Sequence, residues 1–335
     1  MKLCAIGCGE HARSSHGPAQ ARLAATNPAV ELAACCDLDA DRAAGHRQRF
    51  GFARSYTDPL AMIEEERPDA AVLVVPDDVT CELGGQVLRR GVPLLIEKPP
   101  GRTVEETDRL IAAAEAGGRA GGPPVPHQVA FNRRFVPVVR EARRRLDALG
   151  EAADMQHVHY ELTRVGRRDA DFSTTAIHGL DAVRFLAQSD YAHARFRYQE
   201  RPALGPGVAN VFVDAVLASG ATAHLAFCPA AGVVVERATV HAGAHTLFLR
   251  IPMWEGFDSP GRLEHLEDGR LIADVAGEAT GEGSAAFERG GFYAEYEAFL
   301  GAIAAGRPPA PSLRESRQSV EVAACIRGRK SEFHA

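Results

Sequence analysis

Apolar runs and amphipathic stretches take turns along the first third of the chain. Lys2 to Ile6 reads as a short strand that ends in Gly7-Cys8-Gly9, and a helix follows over roughly Glu10 to Ala25. Val30 to Cys36 is a second apolar run, stopped by Asp37, and Arg42 to Phe50 is helical. Ala70 to Val75 is strongly β-prone and ends at Pro76; Pro93 to Ile96 is another such run and leads into Glu97-Lys98-Pro99-Pro100. Thr103 opens a helix, with Glu106 in capping-box spacing, and Gly117-Gly118 stops it. Continuous apolar strands separated by helices belong to a parallel sheet covered on both faces, the doubly wound α/β pattern.

The pattern changes after Gly117 to Pro126, where Gly and Pro punctuate without periodicity and mark a linker. Met155 to Thr163 alternates like a half-buried strand, and Thr174 to Leu186 reads as a helix. From Ala192 to about Val275 strand-like segments follow one another, among them Val211–Leu217, Thr222–Phe227, Val233–His241 and Thr246–Ile251. Strands without helices between them predict an antiparallel sheet. Helices return at Phe292–Ala305 and Leu313–Arg327. The expected organisation is a Rossmann dinucleotide-binding domain over residues 1–124, then an α+β domain with a large, mostly antiparallel sheet over 125–335.

Composition narrows the function classes. At about 150 residues per domain, 335 residues make about two domains. Hydrophobic residues at 46% and charged residues at 24% are ordinary globular proportions, which exclude disorder. A net charge of −6 without a dominant basic block argues against an extended nucleic-acid surface. The longest aliphatic run, Ala70 to Val75, falls far short of the ~20 residues that span a bilayer, so no membrane role is expected. Glu10 follows Lys2 too soon for a secretory signal. Seven cysteines without module-like spacing read as reduced thiols of a cytoplasmic protein, and Cys4, Cys8, Cys35 and Cys36 lack metal-ligand spacing, so no metal is expected. Of 38 basic residues only Lys2, Lys98 and Lys330 are lysines, which leaves Lys98 as the one lysine away from the termini. Lysine gives up its proton when its surroundings are tuned; arginine does not.

Gly7-Cys8-Gly9-Glu10-His11-Ala12 fits G-x-G-x-x-G/A between a strand and a helix. The first two glycines permit a tight turn and close approach of backbone to a pyrophosphate, which the helix N-terminus favours. Gly7, Gly9, Glu10, His11 and Ala12 are therefore candidate cofactor-binding residues, with Pro76 and Glu97 at neighbouring strand ends. Asp37, 25 residues after Ala12, is placed to take the adenosine ribose hydroxyls. Its charge repels a 2′-phosphate, so NAD is expected over NADP, a preference that Arg42 would soften. Lys98 follows a strand that should end at the ligand-binding edge of the sheet, beside Glu97. Asn132, Arg133 and Arg134 could bind hydroxyls, or a carboxylate or phosphate bidentately. His178 lies one helical turn before Asp181, which could orient it.

These residues resemble the Gfo/Idh/MocA family, the glucose–fructose oxidoreductase and inositol dehydrogenase group. The likeness runs over essentially the whole chain: GCGEHA at the N-terminus, CCD at 35–37, EKP at 97–99, FNRRFVP at 131–137, IHGLD at 177–181, FYAEYEAF at 292–299 and Pro-Ser-Leu at 311–313. The resemblance implies a nicotinamide-dependent oxidoreductase acting on a polyol, sugar or sugar nucleotide. It places the catalytic roles on Lys98 and His178, and it implies a homodimer or homotetramer. Two positions depart from the family pattern. Thr174 stands where an acid often accompanies the histidine, and Thr80, four residues after Pro76, stands where a histidine is often found. The competing expectations are a dinucleotide-binding regulator without turnover and a reductase of an imine or conjugated substrate.

Overall fold

Six strands, β1 (Lys2–Ile6), β2 (Glu31–Cys36), β3 (Arg54–Tyr56), β4 (Ala70–Leu73), β5 (Leu94–Glu97) and β6 (His127–Ala130), pair in the order β3-β2-β1-β4-β5-β6. Every neighbouring pair is parallel. Leu3, Val72, Leu73, Leu94, Leu95 and Ile96 are fully buried, as a sheet covered on both faces requires. The helices between the strands start where the sequence supplies caps. Asp39 accepts from the amides of Asp41 and Arg42 at the head of Ala40–Phe50, which Gly51 ends at φ 84°. Thr103 accepts from the Glu106 amide at the head of Val104–Gly117, and the Glu106 carboxylate accepts in turn from the Arg102 amide. Order reverses between β1 and β4, so ligands of this topology meet the carboxyl edge there. Gly7, Asp37, Pro76 and Lys98 all follow strands at that edge.

The computed structural model describes residues 1–118, 120–150, 154–277 and 283–335; Arg119, within the expected linker, lies outside them. The chain divides into two units, Met1–Phe131 with Phe292–Val320, and Asn132–Gly291 with Glu321–Ala335. This differs from a division at 124/125. Strand β6 belongs to the first sheet, and the helix Phe292–Ala304 returns to pack on Gly17–Thr26, where Tyr293 bonds Thr26 and Tyr296 bonds Gln20. An amphipathic pattern shows that a helix has a buried face, but not which sheet receives it.

The second unit is built on nine strands: β7 (Met155–Thr163), β8 (Tyr191–Glu200), β9 (Ala209–Leu217), β10 (Thr222–Cys228), β11 (Glu236–Ala242), β12 (His245–Ile251), β13 (Arg262–Glu267), β14 (Arg270–Ala276) and β15 (Glu332–His334). Their order is β14-β13-β12-β11-β7-β10-β9-β8-β15. Pairing is antiparallel except between β7 and β10, which makes the sheet mixed. Val158, Tyr160 and Leu162 of β7 are buried beneath helices, while His157, His159 and Glu161 alternate onto the other face. The helices Pro137–Leu149 and Ser173–Ala187 cover the first face. Gly179 permits the close approach of the second one: a Cβ there would meet the Phe227 ring at 2.7 Å and the Tyr160 ring at 2.9 Å.

Candidate active site

The turn after β1 needs its glycine. Gly7 has φ 94°, and a Cβ at that position would fall 1.9 Å from the Val74 carbonyl oxygen. At Gly9 a Cβ would meet nothing within 4 Å, so the backbone lies open on that side. A helical segment begins at Glu10. An open glycine turn feeding a helix N-terminus fits a pyrophosphate, whose oxygens the amides and the helix dipole would hold. Asp37 ties the turn to the end of β2. Its Oδ2 accepts from the Cys8 amide at 2.9 Å and its Oδ1 from the Asp39 amide at 3.0 Å, with Arg42 Nε 3.8 Å away. Glu10 is exposed beside the turn. Pro76 heads the helix Asp77–Arg89, and its carbonyl accepts from the Val79 amide and the Thr80 hydroxyl.

Lys98 stands one residue beyond β5, and its backbone amide donates to Glu97 Oε2 at 2.8 Å. The other carboxylate oxygen, Oε1, accepts from His11 Nε2 and His16 Nε2, each at 2.9 Å. Burial would raise the Glu97 carboxyl, but His11 and His16 outweigh it and hold the group well below the ordinary carboxylate range. Burial lowers His16 and keeps it neutral, only partly opposed by Glu97. A neutral His16 donates from Nε2 to Glu97 and accepts at Nδ1 from the Tyr296 hydroxyl, 2.9 Å away. Tyr296 in turn accepts from Gln20 at 2.8 Å. Glu97 and His11, expected to touch a cofactor, are thus first of all joined to one another.

In the second unit His178 is buried at 7% exposure on Ser173–Ala187. Both oxygens of Asp181, one turn further along that helix, accept from Arg134, at 2.7 and 2.8 Å. A guanidinium matches a carboxylate fork with two parallel bonds. Arg133, expected among the substrate-binding residues, lies in a buried ion cluster. Its guanidinium donates to both oxygens of buried Glu236 at 3.0 Å, and Tyr160 and Arg164 complete that cluster. Asn132 donates to the Gly290 carbonyl at 2.7 Å. Of the acids near Thr174, Asp169 pairs with Arg167, and Asp171 with Arg327 and the Ser173 amide. The seven cysteines are free thiols.

Sequence reasoning passed over His16, Gln20 and Tyr296. His16 is five residues after His11, a spacing that no α-helical pattern brings to one face. Tyr296 lies 280 residues away, and no local signal could pair the two.

Residues 1–120 match the family model described as an oxidoreductase family with an NAD-binding Rossmann fold. Inositol 2-dehydrogenase 2 of Saccharopolyspora erythraea is 32% identical over 213 residues, covering 61% of this chain and 59% of that protein. D-apiose dehydrogenase of Paraburkholderia graminis is 30% identical over 117 residues, covering 35% of this chain and 30% of the relative. The matched part of the chain thus spans about three fifths or less of these curated relatives' lengths. Among solved structures, levoglucosan dehydrogenase in complex with NADH superposes with a TM-score of 0.82 at 18% identity, covering 99% of this chain and 98% of that one. UDP-N-acetylglucosamine 3-dehydrogenase from Acidithiobacillus ferrooxidans gives 0.80 at 21% identity, covering 99% and 98%. At those identities the structures share the fold. No helix among the described residues is long and apolar enough to cross a membrane. Over residues 1–120 the chain is thus similar to the Gfo/Idh/MocA oxidoreductases, whose family model describes an NAD-binding Rossmann fold.

Proposed function

We propose that the protein is a nicotinamide-dependent dehydrogenase or reductase that acts on a secondary alcohol or ketone carbon of a sugar, cyclitol or sugar derivative. The observation that carries this reading is the position of Lys98, the one lysine away from the termini, at the carboxyl end of β5 in a Rossmann sheet. The cofactor, NAD in preference to NADP, supplies a hydride acceptor or donor when bound. The chain's own residues do the rest. Gly7 to Ala12 seat the pyrophosphate, and Asp37 meets the adenosine ribose while it holds the Cys8 amide. Lys98 takes the hydroxyl proton in the oxidative direction and returns it in the reductive one. His178 assists, and the Arg134–Asp181 pair fixes the helix that carries it. Thr174 stands where a carboxylate is often found, and Lys98 is assigned the larger share of proton transfer.

The names of the relatives, inositol and apiose dehydrogenases, support a polyol substrate. A panel of cyclitols, pentoses, hexoses and anhydrosugars with NAD, followed by nicotinamide absorbance, tests the proposal. Turnover of at least one supports it. Tight NADH binding with no turnover across the panel would favour the second reading, a dinucleotide-binding regulator, for which Thr174 is the specific observation. We also propose self-association through the uncovered face of the nine-stranded sheet, where Val216 and Phe248 are each 42% exposed. Light scattering at micromolar concentration should give at least a dimer; a 35.9 kDa particle would contradict it.

A further inference from the structure

Residues five apart on an α-helix lie on different faces, about 140° apart at 3.6 residues per turn. Across Ala12–His16 the helix opens into a π-helical turn, and the added residue brings His11 and His16 round to one face. Both Nε2 atoms then reach the same oxygen, Glu97 Oε1, at 2.9 Å. His16 alone would satisfy that buried oxygen. The second imidazole comes from a side chain 46% exposed, and the helix departs from regular geometry to deliver it. One donor atom from each of the three side chains lies within 4.8 Å of the others.

We infer that His11 Nε2, His16 Nε2 and Glu97 Oε1 form a binding site for a divalent transition metal, with zinc as the best match. Two imidazoles and one carboxylate are a zinc ligand set that leaves a fourth position for water. Ligands of a tetrahedral zinc sit about 3.3 Å apart, so the 2.9 Å hydrogen-bonded contacts need to open by only a few tenths of an ångström. The outer partners that ligands need are in place. His16 Nδ1 faces the Tyr296 hydroxyl, held by Gln20, and Glu97 Oε2 is held by the Lys98 amide. On binding, the proton that His16 carries on Nε2 moves to Nδ1, where the Tyr296 oxygen accepts it. The Phe292 ring stands edge-on to both imidazoles, 5.7 Å from His11 and 5.2 Å from His16, and forms an apolar wall. Half-exposed His11 is the entry side.

Among the described residues, one other group has comparable donors: His193, Glu332 and His334 at the edge of the second sheet. Two of the three are exposed, and that group serves as the control. The test titrates chelator-treated full-length protein with zinc, and separately with cobalt, in the absence of nicotinamide cofactor, so its outcome does not depend on turnover. Wild type should bind one equivalent tightly and show the visible absorption of four-coordinate cobalt. His11→Ala should weaken that equivalent at least tenfold without lowering the thermal midpoint of the metal-free protein. His334→Ala should leave it unchanged. Absence of a stoichiometric equivalent in wild type, equal affinity in His11→Ala, or loss of the equivalent in His334→Ala would each overturn the inference.

Discussion

Glu97 in the first unit and Glu236 in the second are both buried carboxylates, and their partners differ in kind. Glu236 is bound by the guanidiniums of Arg133 and Arg164 and by the Tyr160 hydroxyl. Burial opposes its ionisation, but Arg133 and Arg164 prevail and bring the carboxyl down to about 2. Guanidiniums do not titrate, so the cluster keeps its charges near neutral pH and ties β7 and β11 to the turn Asn132–Phe135. Glu97 is bound by two imidazoles, one of them half-exposed, next to the only internal lysine. Imidazoles change protonation state and bind metals. One buried glutamate is held as an anchor and the other by groups able to respond, and the second lies at the carboxyl edge of a parallel sheet, where ligands of this topology bind.

Removing the charge of Glu236 should cost the most. Glu236→Gln leaves two buried guanidiniums without their carboxylate, a loss of about 3–5 kcal/mol. It should be read as a lower denaturant midpoint for the second unit; a loss below about 1 kcal/mol would remove the anchor from the comparison. Acid should act through the same group. A carboxyl lowered from 4.5 to about 2 stabilises the fold fully above 4.5, and that stabilisation is lost as pH falls through about 2. At about 1.4 kcal/mol per pKa step this amounts to about 3 kcal/mol. Circular dichroism against pH should show that limb in wild type and a flatter one in Glu236→Gln.

Glu97→Gln should cost less, about 1–2 kcal/mol, because the amide oxygen still accepts from both imidazoles while the Lys98 backbone amide loses its acceptor. If thermal unfolding showed the two substitutions to be equal, the contrast between anchor and responsive site would fail. Asp37→Ala should have the smallest effect, narrowing the preference for NADH over NADPH by about fivefold, ~1 kcal/mol. Fluorescence titration of both cofactors measures it, and an unchanged ratio would mean that Asp37 does not meet the ribose.

The parts of the molecule that sequence reveals are those encoded locally. The first sheet was legible because each apolar run ends in a residue with a physical reason to stop it, such as Gly7, Asp37 or Pro76. Strands β3 and β15, three residues each, carry too little pattern to detect. Lys98 stood out by the scarcity of lysine, and the structure sets it at the expected strand end. The fates of Arg133 and Asp181 were not legible. Glu236 lies 103 residues from Arg133, and Arg134 lies 47 residues from Asp181, so tertiary packing alone decides those pairs. The π-helical turn that unites His11 and His16 has no local signature, because hydrophobic periodicity assumes a regular helix.

The central claim is that Lys98 performs the proton transfer of a hydride-transferring site. The direct measurement is single-turnover oxidation of a polyol that wild type accepts, compared with Lys98→Met and His178→Asn, with NADH affinity recorded for each. The account predicts that Lys98→Met loses turnover by about 10²–10⁴-fold with NADH binding intact, and that His178→Asn loses less. Turnover by Lys98→Met at the wild-type rate, or a deeper loss in His178→Asn, would contradict it.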